Sequence, residues 1–423
     1  MFMEMITMGS RGVLATLFLV VAITLFPQDC HSADIDRLNS TLRNYFSDKR
    51  HHIKNVTYKD TARNYIIHMF NEFGLQPQEH IFPMSDSANA SNASNVIGVL
   101  NGSNIGTADD KPVGVSAHYD TYDISPGVND NGSGMAALLE VARLLTDQHK
   151  KGFRRNNTII FVAFDLEESS YAGSKQFKEG WLNPWTNRSY GKAASSITLQ
   201  GIIVMDTVMA YNESNDTQRL PPGISVLFPT VKRSIESNGK RGDFIVNIYR
   251  KDKDSLLGKN FTSAWKKLSK LRIEELPLPF SNVTEMENKS LHNLLRSDHR
   301  SLWADDIPAI FLSDSAEYRG ANEGCYHKTC DNITTMITDS NLKFLSTTTD
   351  AIVETLNTLA IQYCATPHAG RRSVRDLVAL ESTDFCKVNF NTTPKHGTSG
   401  CHPVIPESVR LTMVLATIIG IYL

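Results

Sequence analysis

The stretch Ser116–Gly134, SAHYDTYDISPGVNDNGSG, places a histidine, several acidic side chains and a cluster of glycines between two apolar segments. The preceding segment, Pro112–Ala117, has the composition of a short buried strand. After the stretch, apolar residues from Met135 to Leu145 recur at helical spacing. The stretch therefore predicts a strand-to-helix turn, and its glycines allow sharp turns of the backbone. In open α/β sheets, such turns at the carboxyl ends of strands carry the ligand site.

The same alternation of apolar strand-like and helix-like segments continues along the chain. Further buried strands are predicted at Asn95–Leu100, Thr158–Phe164, Gln200–Met205 and Ile307–Leu312. Helical spacing of apolar residues predicts helices at Ile35–Phe46, Tyr65–Phe70 and Leu342–Tyr363. This order predicts a three-layer α/β/α domain around a central mixed, mostly parallel β-sheet. Residues 212–289 are interpreted as strand, helix and loop material of the same domain.

Length and composition favour a globular protein and exclude one class of partner. The chain has 423 residues, of which 41% are hydrophobic and 21% charged, so it can bury a large core as one large or two smaller domains. Its formal net charge of -2 offers no electrostatic basis for binding nucleic acid. We therefore expect no nucleic-acid partner.

The N-terminus has the pattern of a signal peptide. Arg11 precedes an apolar run, Gly12–Phe26, that is short for a membrane span. Cys30 and Ser32 are small residues at the minus-three and minus-one positions of a cut before Ala33. We predict that residues 1–32 are removed on secretion; an N-terminal core helix or an uncleaved anchor is the alternative.

The C-terminus resembles a glycosylphosphatidylinositol (GPI) signal. Small residues around Ser399 precede a mixed spacer and the apolar run Leu411–Leu423. We predict that residues 400–423 are replaced by lipid, so that the protein lies on the extracellular face of the plasma membrane. A frayed tail or a short tail anchor is the alternative. Residues 366–399 are polar and are predicted to form a stalk, which leaves 33–365 as the catalytic domain.

Cysteines and glycosylation sequons agree with an extracellular chain. With leader and tail removed, Cys325, Cys330, Cys364 and Cys386 remain. An even number in an oxidising compartment suggests disulfides, and pairing of the sequence neighbours is the simplest of three connectivities. Sequons recur at Asn39, Asn55, Asn101, Asn187, Asn260, Asn282 and Asn391. Asn131 is also a sequon, but we expect it to carry no glycan because it lies within the predicted site.

Histidines and acids follow the predicted strands at their carboxyl ends. They are His118, Asp120, Asp130, Glu167, Glu168, Asp206 and His327. Each alone is more simply a helix cap, a turn residue or an exposed acid. The two imidazoles with three of these five carboxylates would suit two zinc ions, because a bridging carboxylate can hold metals about 3.5–4 Å apart. The set therefore indicates an active site.

A series of motifs then resembles a known family. They occur in the family's order and are His118–Asp120, Asn129–Gly134, Asp165–Glu168 with Gly173–Ser174, Val204–Asp206, Ser297–His299 and Gly324–Cys330. Over Ile35–Tyr363 the chain is similar to the co-catalytic di-zinc aminopeptidases, a family that includes secreted leucine aminopeptidases, glutamate carboxypeptidases and glutaminyl cyclases. The resemblance implies a fold of the zinc-peptidase, phosphorylase/hydrolase-like type.

The resemblance also implies a metal-binding role for five residues. His118 and Asp206 would hold one zinc ion, and Glu168 and His327 would hold the other. Asp130 would bridge the two ions.

Three further residues would act around the metals. Asp120 would orient His118, and Glu167 would be the general base. Tyr326 would steady the oxyanion of the tetrahedral intermediate. The implied protein is an extracellular zinc aminopeptidase, a monomer that hydrolyses the N-terminal peptide bond of peptides with a bridging metal-bound water or hydroxide. It would contact the membrane only through its lipid anchor.

Several alternatives stay open. Another exopeptidase, a dipeptidase or a carboxypeptidase, would use the same ligands, and so would a glutaminyl cyclase, although the Asp130–Asn131 turn and Tyr326 count against the cyclase. An inactive surface receptor on a peptidase scaffold is a further alternative, but no ligand or base is missing. Ser297–His299 is interpreted as structural, with Asp298 and His299 capping a helix and bonding to backbone. The sequence does not indicate the preferred N-terminal residue.

Overall fold

The computed structural model describes residues 32–84, 92–221, 223–289, 291–320 and 324–361. Apart from Ser32, the predicted leader, the stalk, the GPI signal and the Cys364–Cys386 pair lie outside these residues. In the described part of the chain, no helix is both long enough and apolar enough to cross a bilayer.

A mixed sheet forms the centre of the domain. Its strands within the described ranges are β1 (Gln78–Pro83), β2 (Asn92–Leu100), β3 (Val113–His118), β4 (Ile159–Phe164), β5 (Gly201–Met205), β6 (Phe244–Arg250), β7 (Arg272–Leu278) and β8 (Ala309–Ser313). They are arranged in the order β1-β2-β4-β3-β5-β8-β6-β7. The central strands β4, β3, β5 and β8 are parallel, as are β6 and β7. The pairs β1–β2, β2–β4 and β6–β8 are antiparallel.

Helices cover both faces of this sheet. In the described residues they are α1 (Ile35–Tyr45), α2 (Val56–Phe73), α3 (Gly134–Lys150), α4 (Ala172–Phe177), α5 (Asn183–Tyr190), α6 (Ile224–Leu227), α7 (Pro229–Ser237), α8 (Ser255–Leu268), α9 (Val283–Asn288), α10 (His299–Ala304), α11 (Ile333–Met336) and α12 (Asp339–Ala360). Helices α1, α2, α3, α8 and α12 contribute to one hydrophobic cluster, and α4, α5, α6, α7, α9 and α10 to another.

The strands divide their side chains between these two clusters. In β5, Ile203 and Met205 join the cluster of α3 and α12, whereas Ile202 and Val204 join the opposite one. This follows from the strand period of two residues, which sends successive side chains to opposite faces. The predicted three-layer α/β/α fold with a mixed sheet is therefore confirmed.

The sequence analysis did not locate β6 and β7, which lie in the segment 212–289. Two polar residues interrupt the apolar pattern of β6. Asn247 is buried and donates hydrogen bonds to the carbonyl of Gly258 and the hydroxyl of Thr262. Arg250 is buried and forms an ion pair of 2.9 Å with Asp254. The partners of Asn247 and Arg250 lie in or next to α8. These tertiary contacts satisfy the two polar side chains, which had hidden the strand from an analysis of apolar patterns.

A buried ion pair fixes the turn that leaves β4. Asp165 Oδ2 accepts hydrogen bonds from Lys59 Nζ at 2.7 Å and from the amide of Ser94 at 3.1 Å. The Asp165 amide donates to Asn95 Oδ1 at 2.9 Å. Burial raises the pKa of Asp165, and the Lys59 ammonium opposes that shift. The chain reaches Glu167 only two residues later, so this pair anchors the backbone next to the predicted site.

We predict that Lys59→Met destabilises the protein by about 3–5 kcal/mol, because it leaves the Asp165 carboxylate buried without its cation. Urea denaturation followed by circular dichroism measures the loss. Lys54→Met, at an exposed lysine, is the control and should change the free energy of unfolding by less than about 0.5 kcal/mol. Equal effects of the two substitutions would show that the pair does not anchor the turn.

Candidate metal centre

The predicted residues meet at the carboxyl ends of three neighbouring strands. His118 is the last residue of β3, Glu167 and Glu168 follow β4, and Asp206 follows β5. Asp130 comes from the turn Val128–Ser133 between β3 and α3. His327 comes from the loop that follows β8. Since β4, β3 and β5 are adjacent and parallel, their ends open on one edge of the sheet.

Two groups of potential ligands share the carboxylate of Asp130. In the first, His118 Nε2 lies 3.5 Å from Asp130 Oδ1 and 3.5 Å from Asp206 Oδ2. In the second, His327 Nε2 lies 3.1 Å from Asp130 Oδ2 and 3.2 Å from Glu168 Oε1. Within each group the ligand atoms all lie within 4.8 Å of one another. Each oxygen of Asp130 thus faces a different imidazole.

The polar atoms of this centre are arranged as ligands for cations and not as hydrogen-bond partners of one another. His118 Nε2, His327 Nε2, Asp130 Oδ2 and Glu168 Oε1 are inaccessible to solvent, and they make no hydrogen bond within the described residues. Buried polar atoms in folded proteins almost always have a partner. Imidazole nitrogens and carboxylate oxygens in groups of three are the donor set that zinc accepts. The residues present therefore fit two divalent metal ions.

The charges of the two imidazoles depend on these carboxylates. Burial alone would lower the pKa of His118, but Asp206, Glu167, Asp120 and Asp130 together raise it well above its usual value. Burial likewise opposes protonation of His327, whereas Asp130 and Glu168 raise its pKa to about 10. Without a metal, both imidazoles therefore hold protons at neutral pH.

Two adjacent glutamates have elevated pKa values. Burial, followed by the charges of Glu168 and Asp206, raises the pKa of Glu167 well above its usual value. Burial and repulsion from Asp130 raise the pKa of Glu168 to about 7. Glu167 is not part of either group of ligand atoms, and its side chain is only 8% exposed. It therefore provides a carboxylate beside the centre that is free to carry a proton.

Asp120 contacts both His118 at the end of β3 and the two glutamates that follow β4. Its Oδ1 accepts a hydrogen bond from the Glu167 amide at 3.0 Å and lies 3.4 Å from His118 Nδ1. Its Oδ2 accepts from the Glu168 amide at 3.2 Å. The carboxylate thus faces the imidazole nitrogen of His118 that points away from Asp130, as predicted for an orienting partner, and it also fixes the backbone of both glutamates.

Asp331 was missed by the sequence analysis, although it holds the turn that carries Asp130. It accepts hydrogen bonds from the amides of Asn129 at 2.8 Å and Asp130 at 3.0 Å. On the other side of the turn, Asn131 donates to the carbonyl of Met205 at 2.9 Å and is fully buried, so it has no room for a glycan here. No local pattern marks Asp331, because its partners are some two hundred residues away.

The loop that carries His327 is closed by a disulfide between Cys325 and Cys330, which confirms this pairing. His327 lies between two aromatic rings, with the Tyr326 centroid at 3.9 Å and the Tyr122 centroid at 4.4 Å. Burial and the nearby carboxylate of Asp130 raise the pKa of Tyr326 well above its usual value. Tyr326 therefore keeps its proton at neutral pH and can donate a hydrogen bond.

The structural interpretation of Ser297–His299 is correct only for the histidine. The imidazole of His299 is buried, its Nε2 lies 2.9 Å from the carbonyl of Leu294, and its ring stacks on Phe311. Asp298 precedes α10, but its side chain does not cap the helix. Both of its oxygens are buried and accept no hydrogen bond in the described part of the chain. Burial raises the pKa of Asp298 to about 7, the charge of His118 opposes this shift, and the charge of Asp206 adds to it.

A cleft of about 730 Å³ opens beside the centre. Asp206 and Tyr326 line the cleft and connect it to the two groups of potential ligands. Its wall is mostly apolar and includes Leu220, Ile224, Val231, Ile235, Phe244, Val246, Ile248, Leu276, Leu294 and Phe311. Most of these residues come from the segment 212–289, so this segment forms a cleft wall as well as surface loops.

We predict that zinc binding to chelator-treated protein releases protons and tightens as the pH rises from about 6 to 8. The reason is that a metal must displace protons from His118 and His327, whose pKa values are raised in the metal-free centre. Calorimetric titration in buffers of different ionisation enthalpy measures the released protons. Binding with no proton release and no dependence on pH would contradict these protonation states.

Known sequences that are similar to this chain include peptidases. Residues 95–254 match the model of peptidase family M28. The uncharacterised protein YfbL of Escherichia coli (strain K12) is 25% identical over 322 residues, which are 70% of this chain and 82% of YfbL. Aminopeptidase YwaD of Bacillus subtilis (strain 168) is 42% identical over 83 residues, or 20% of this chain and 17% of YwaD. Aminopeptidase NAALADL1 of Rattus norvegicus is 32% identical over 152 residues, or 36% of this chain and 18% of that protein.

Solved structures share the fold. LapA aminopeptidase of Legionella pneumophila has a TM-score of 0.52 at 16% identity, covering 78% of this chain and 72% of LapA. The aminopeptidase from Aneurinibacillus sp. strain AM-1 has a TM-score of 0.51 at 12% identity, covering 77% of this chain and 94% of that one. The family match includes Glu167 and every predicted ligand except His327. Over residues 95–254, the chain is thus similar to peptidase family M28.

Proposed function

We propose that this protein is a zinc-dependent aminopeptidase that removes the N-terminal residue of peptides. The observation that carries the proposal is the pair of ligand groups that share Asp130, with the carboxylate of Glu167 beside them. The M28 match and the aminopeptidases among the relatives support a peptidase.

In this proposal, five residues hold two zinc ions. His118 and Asp206 would hold one ion, Glu168 and His327 would hold the other, and Asp130 would be shared between them. Bound zinc would polarise the scissile carbonyl and make water acidic enough to attack it near neutral pH. Asp120, through its contact with His118 Nδ1, keeps Nε2 directed at the ligand group.

Glu167 moves the proton in this proposal. Its carboxylate accepts a proton from the attacking water and donates it to the nitrogen of the departing amine. The amide of Glu167 is held by Asp120, so the backbone that carries the carboxylate is fixed. Tyr326, which keeps its phenolic proton, donates a hydrogen bond to the oxygen that gains negative charge.

The charge of the centre favours a substrate's amino end over its carboxyl end. Six buried or half-buried carboxylates surround the site: Asp120, Asp130, Glu167, Glu168, Asp206 and Asp298. Bound zinc ions would favour the ionised form of these carboxylates, and six carboxylates beside two zinc ions leave two negative charges uncompensated. This excess attracts an ammonium group and repels a carboxylate. Arg296, which lines the cleft, is already paired with Glu317. An aminopeptidase is thus favoured over a carboxypeptidase.

The cleft supports a preference for an apolar N-terminal residue. Its wall is mostly aliphatic and aromatic, with a few charged side chains such as Arg296 and Glu317, and Asp206 and Tyr326 also line it. A side chain that enters it leaves water for an apolar surface, which contributes about 0.8 kcal/mol per buried methylene group. Leucine and phenylalanine should therefore be better substrates than glycine, alanine or any charged residue.

We further propose that the enzyme acts outside the cell and is tethered by lipid. The apolar N-terminal run, the C-terminal order of small residues, spacer and apolar tail, and the recurring sequons support this location. Release of the protein from intact cells by a phosphatidylinositol-specific phospholipase tests the tether. Retention on the membrane after this treatment would favour the tail-anchor alternative.

We predict that Glu167→Gln lowers kcat for leucine amide by about 10²–10⁴-fold, because the water loses its proton acceptor. The protein purified from its secretory host, with its metal content measured, is assayed beside Glu72→Gln, which alters an exposed glutamate. The control should retain full activity, and both variants should hold as much zinc as the wild type.

Substrates with blocked ends distinguish the alternatives. Acetyl-leucine amide should be inert in an aminopeptidase, whereas cleavage that requires a free carboxylate would identify a carboxypeptidase. Cyclisation of N-terminal glutamine would identify a glutaminyl cyclase. A folded, zinc-loaded protein that acts on none of these substrates would support the receptor alternative.

We predict that Ile224→Phe narrows the cleft and shifts the preference from leucine toward alanine, lowering the ratio of kcat/KM values by about 10-fold or more. Ile224 lies in the cleft wall and is 2% exposed. Val226→Phe is the matched control, since Val226 lies on the same short helix but is 83% exposed. An unchanged leucine-to-alanine ratio in Ile224→Phe would show that this cleft does not receive the N-terminal side chain.

A further inference from the structure

The backbone of Ala33 is held by the C-terminal helix of the domain. Ala33 lies just before α1, yet it is only 6% exposed and packs in the cluster of α3 and α12. Its amide nitrogen donates to Asp350 Oδ1 at 2.7 Å. Its carbonyl accepts a hydrogen bond from Ser346 Oγ at 3.2 Å. Two side chains of α12 therefore hold this one residue on both sides.

The next residue is held differently. The amide of Asp34 donates to Glu140 Oε1 at 2.9 Å. Glu140 already has cationic partners, because Arg143 lies 2.6 Å away and Arg37 lies 3.7 Å away. The carboxylate of Glu140 is therefore neutralised by side chains of the domain.

Asp350 has no comparable cation. Among the described residues, its carboxylate forms no ion pair and receives its hydrogen bond from the amide of Ala33. Burial and the nearby Glu140 raise the pKa of Asp350 to about 6. Removing a carboxylate from water without a compensating charge is costly. A single positive charge at the nitrogen of Ala33 would give the Asp350 carboxylate the cationic partner that it lacks among the described residues.

The sequence independently predicts a cut that would create this charge. Cys30 and Ser32 stand at the minus-three and minus-one positions of a leader cleavage before Ala33. Hydrolysis of the Ser32–Ala33 bond by a leader peptidase adds one water. The new carboxylate stays on Ser32, and the amine of Ala33 takes up a proton, because an α-amino group is mostly protonated at neutral pH.

We propose that Asp350 is the binding site for the chain's own new N-terminus, so that the α-ammonium of Ala33 forms a partly buried ion pair with it after processing. The pair connects α1 to α12, which are the first and last helices of the described domain. This proposal does not depend on the peptidase activity, because neither residue contacts the metal centre.

The test compares N-terminal forms of the full-length chain made in a eukaryotic secretory host. Wild type and Asp350→Asn are each made with and without a Gly-Ser-Gly insertion between Ser32 and Ala33, and terminal sequencing verifies every N-terminus. We expect the wild type to begin at Ala33. The insertion should lower its Tm by about 2–4 °C, because Asp350 then faces an amide instead of an ammonium.

In Asp350→Asn, the insertion should have little further effect on Tm, since the partner carboxylate is absent. Asp339→Asn, at an exposed position of the same helix, is the matched control and should leave the full effect of the insertion in place. An insertion effect of equal size in wild type and Asp350→Asn would overturn the proposal. A mature wild-type chain that begins at another residue would also overturn it.

A second measurement applies even if Asp350→Asn is not secreted. The α-amine of native wild type should react with a small amine-methylating reagent at least about tenfold more slowly than that of the extended chain. This factor corresponds to an ion pair that stabilises the unreactive, bound amine by about 1.4 kcal/mol. Equal labelling of the two native proteins would show that the Ala33 amine is not held by Asp350.

Discussion

The carboxylate of Asp130 is the group on which the rest of the centre depends, because it is shared. One oxygen faces His118 at 3.5 Å, and the other faces His327 at 3.1 Å. The two imidazoles come from segments that are distant in sequence, so Asp130 is the point where the β3 region meets the loop after β8. In the metal-free protein the two imidazoles lower the pKa of Asp130 against the effect of its burial. This carboxylate therefore stays ionised and available to cations.

A shared ligand must be positioned from several directions, and the turn of Asp130 is built for this. Asp331 holds the amides that precede the carboxylate, and Asn131 is fixed to the end of β5. Two glycines give the turn its tight geometry. Gly127 has φ +63°, and a Cβ there would lie 2.2 Å from the carbonyl of Asp130. A Cβ on Gly134 would lie 2.4 Å from Asn131 Oδ1. The position of the ligand thus depends on the absence of two side chains.

The sequence predicted those parts of the site that follow strands directly. His118, Glu168 and Asp206 could be placed because the carboxyl ends of adjacent parallel strands necessarily meet. Asp331 and the cleft wall could not be placed, since their contacts join segments that are distant in sequence. The strand β6 was missed because Asn247 and Arg250 have partners that no local pattern reveals. Asp298 was misjudged as a cap, whereas its carboxylate is buried near the centre and accepts no hydrogen bond within the described ranges.

Chemistry and selectivity occupy different parts of the chain in this account. Strand ends and the turn and loop beside them would supply the proposed ligands and base, while much of the apolar cleft wall comes from the segment 212–289. The central claim is that Asp130 bridges two metal ions. Anomalous diffraction at the zinc absorption edge from crystals of the protein tests it most directly. The account predicts two peaks, one among His118, Asp130 and Asp206 and one among Asp130, Glu168 and His327. No peak in zinc-soaked crystals, or one peak that lacks Asp130 as a ligand, would contradict it.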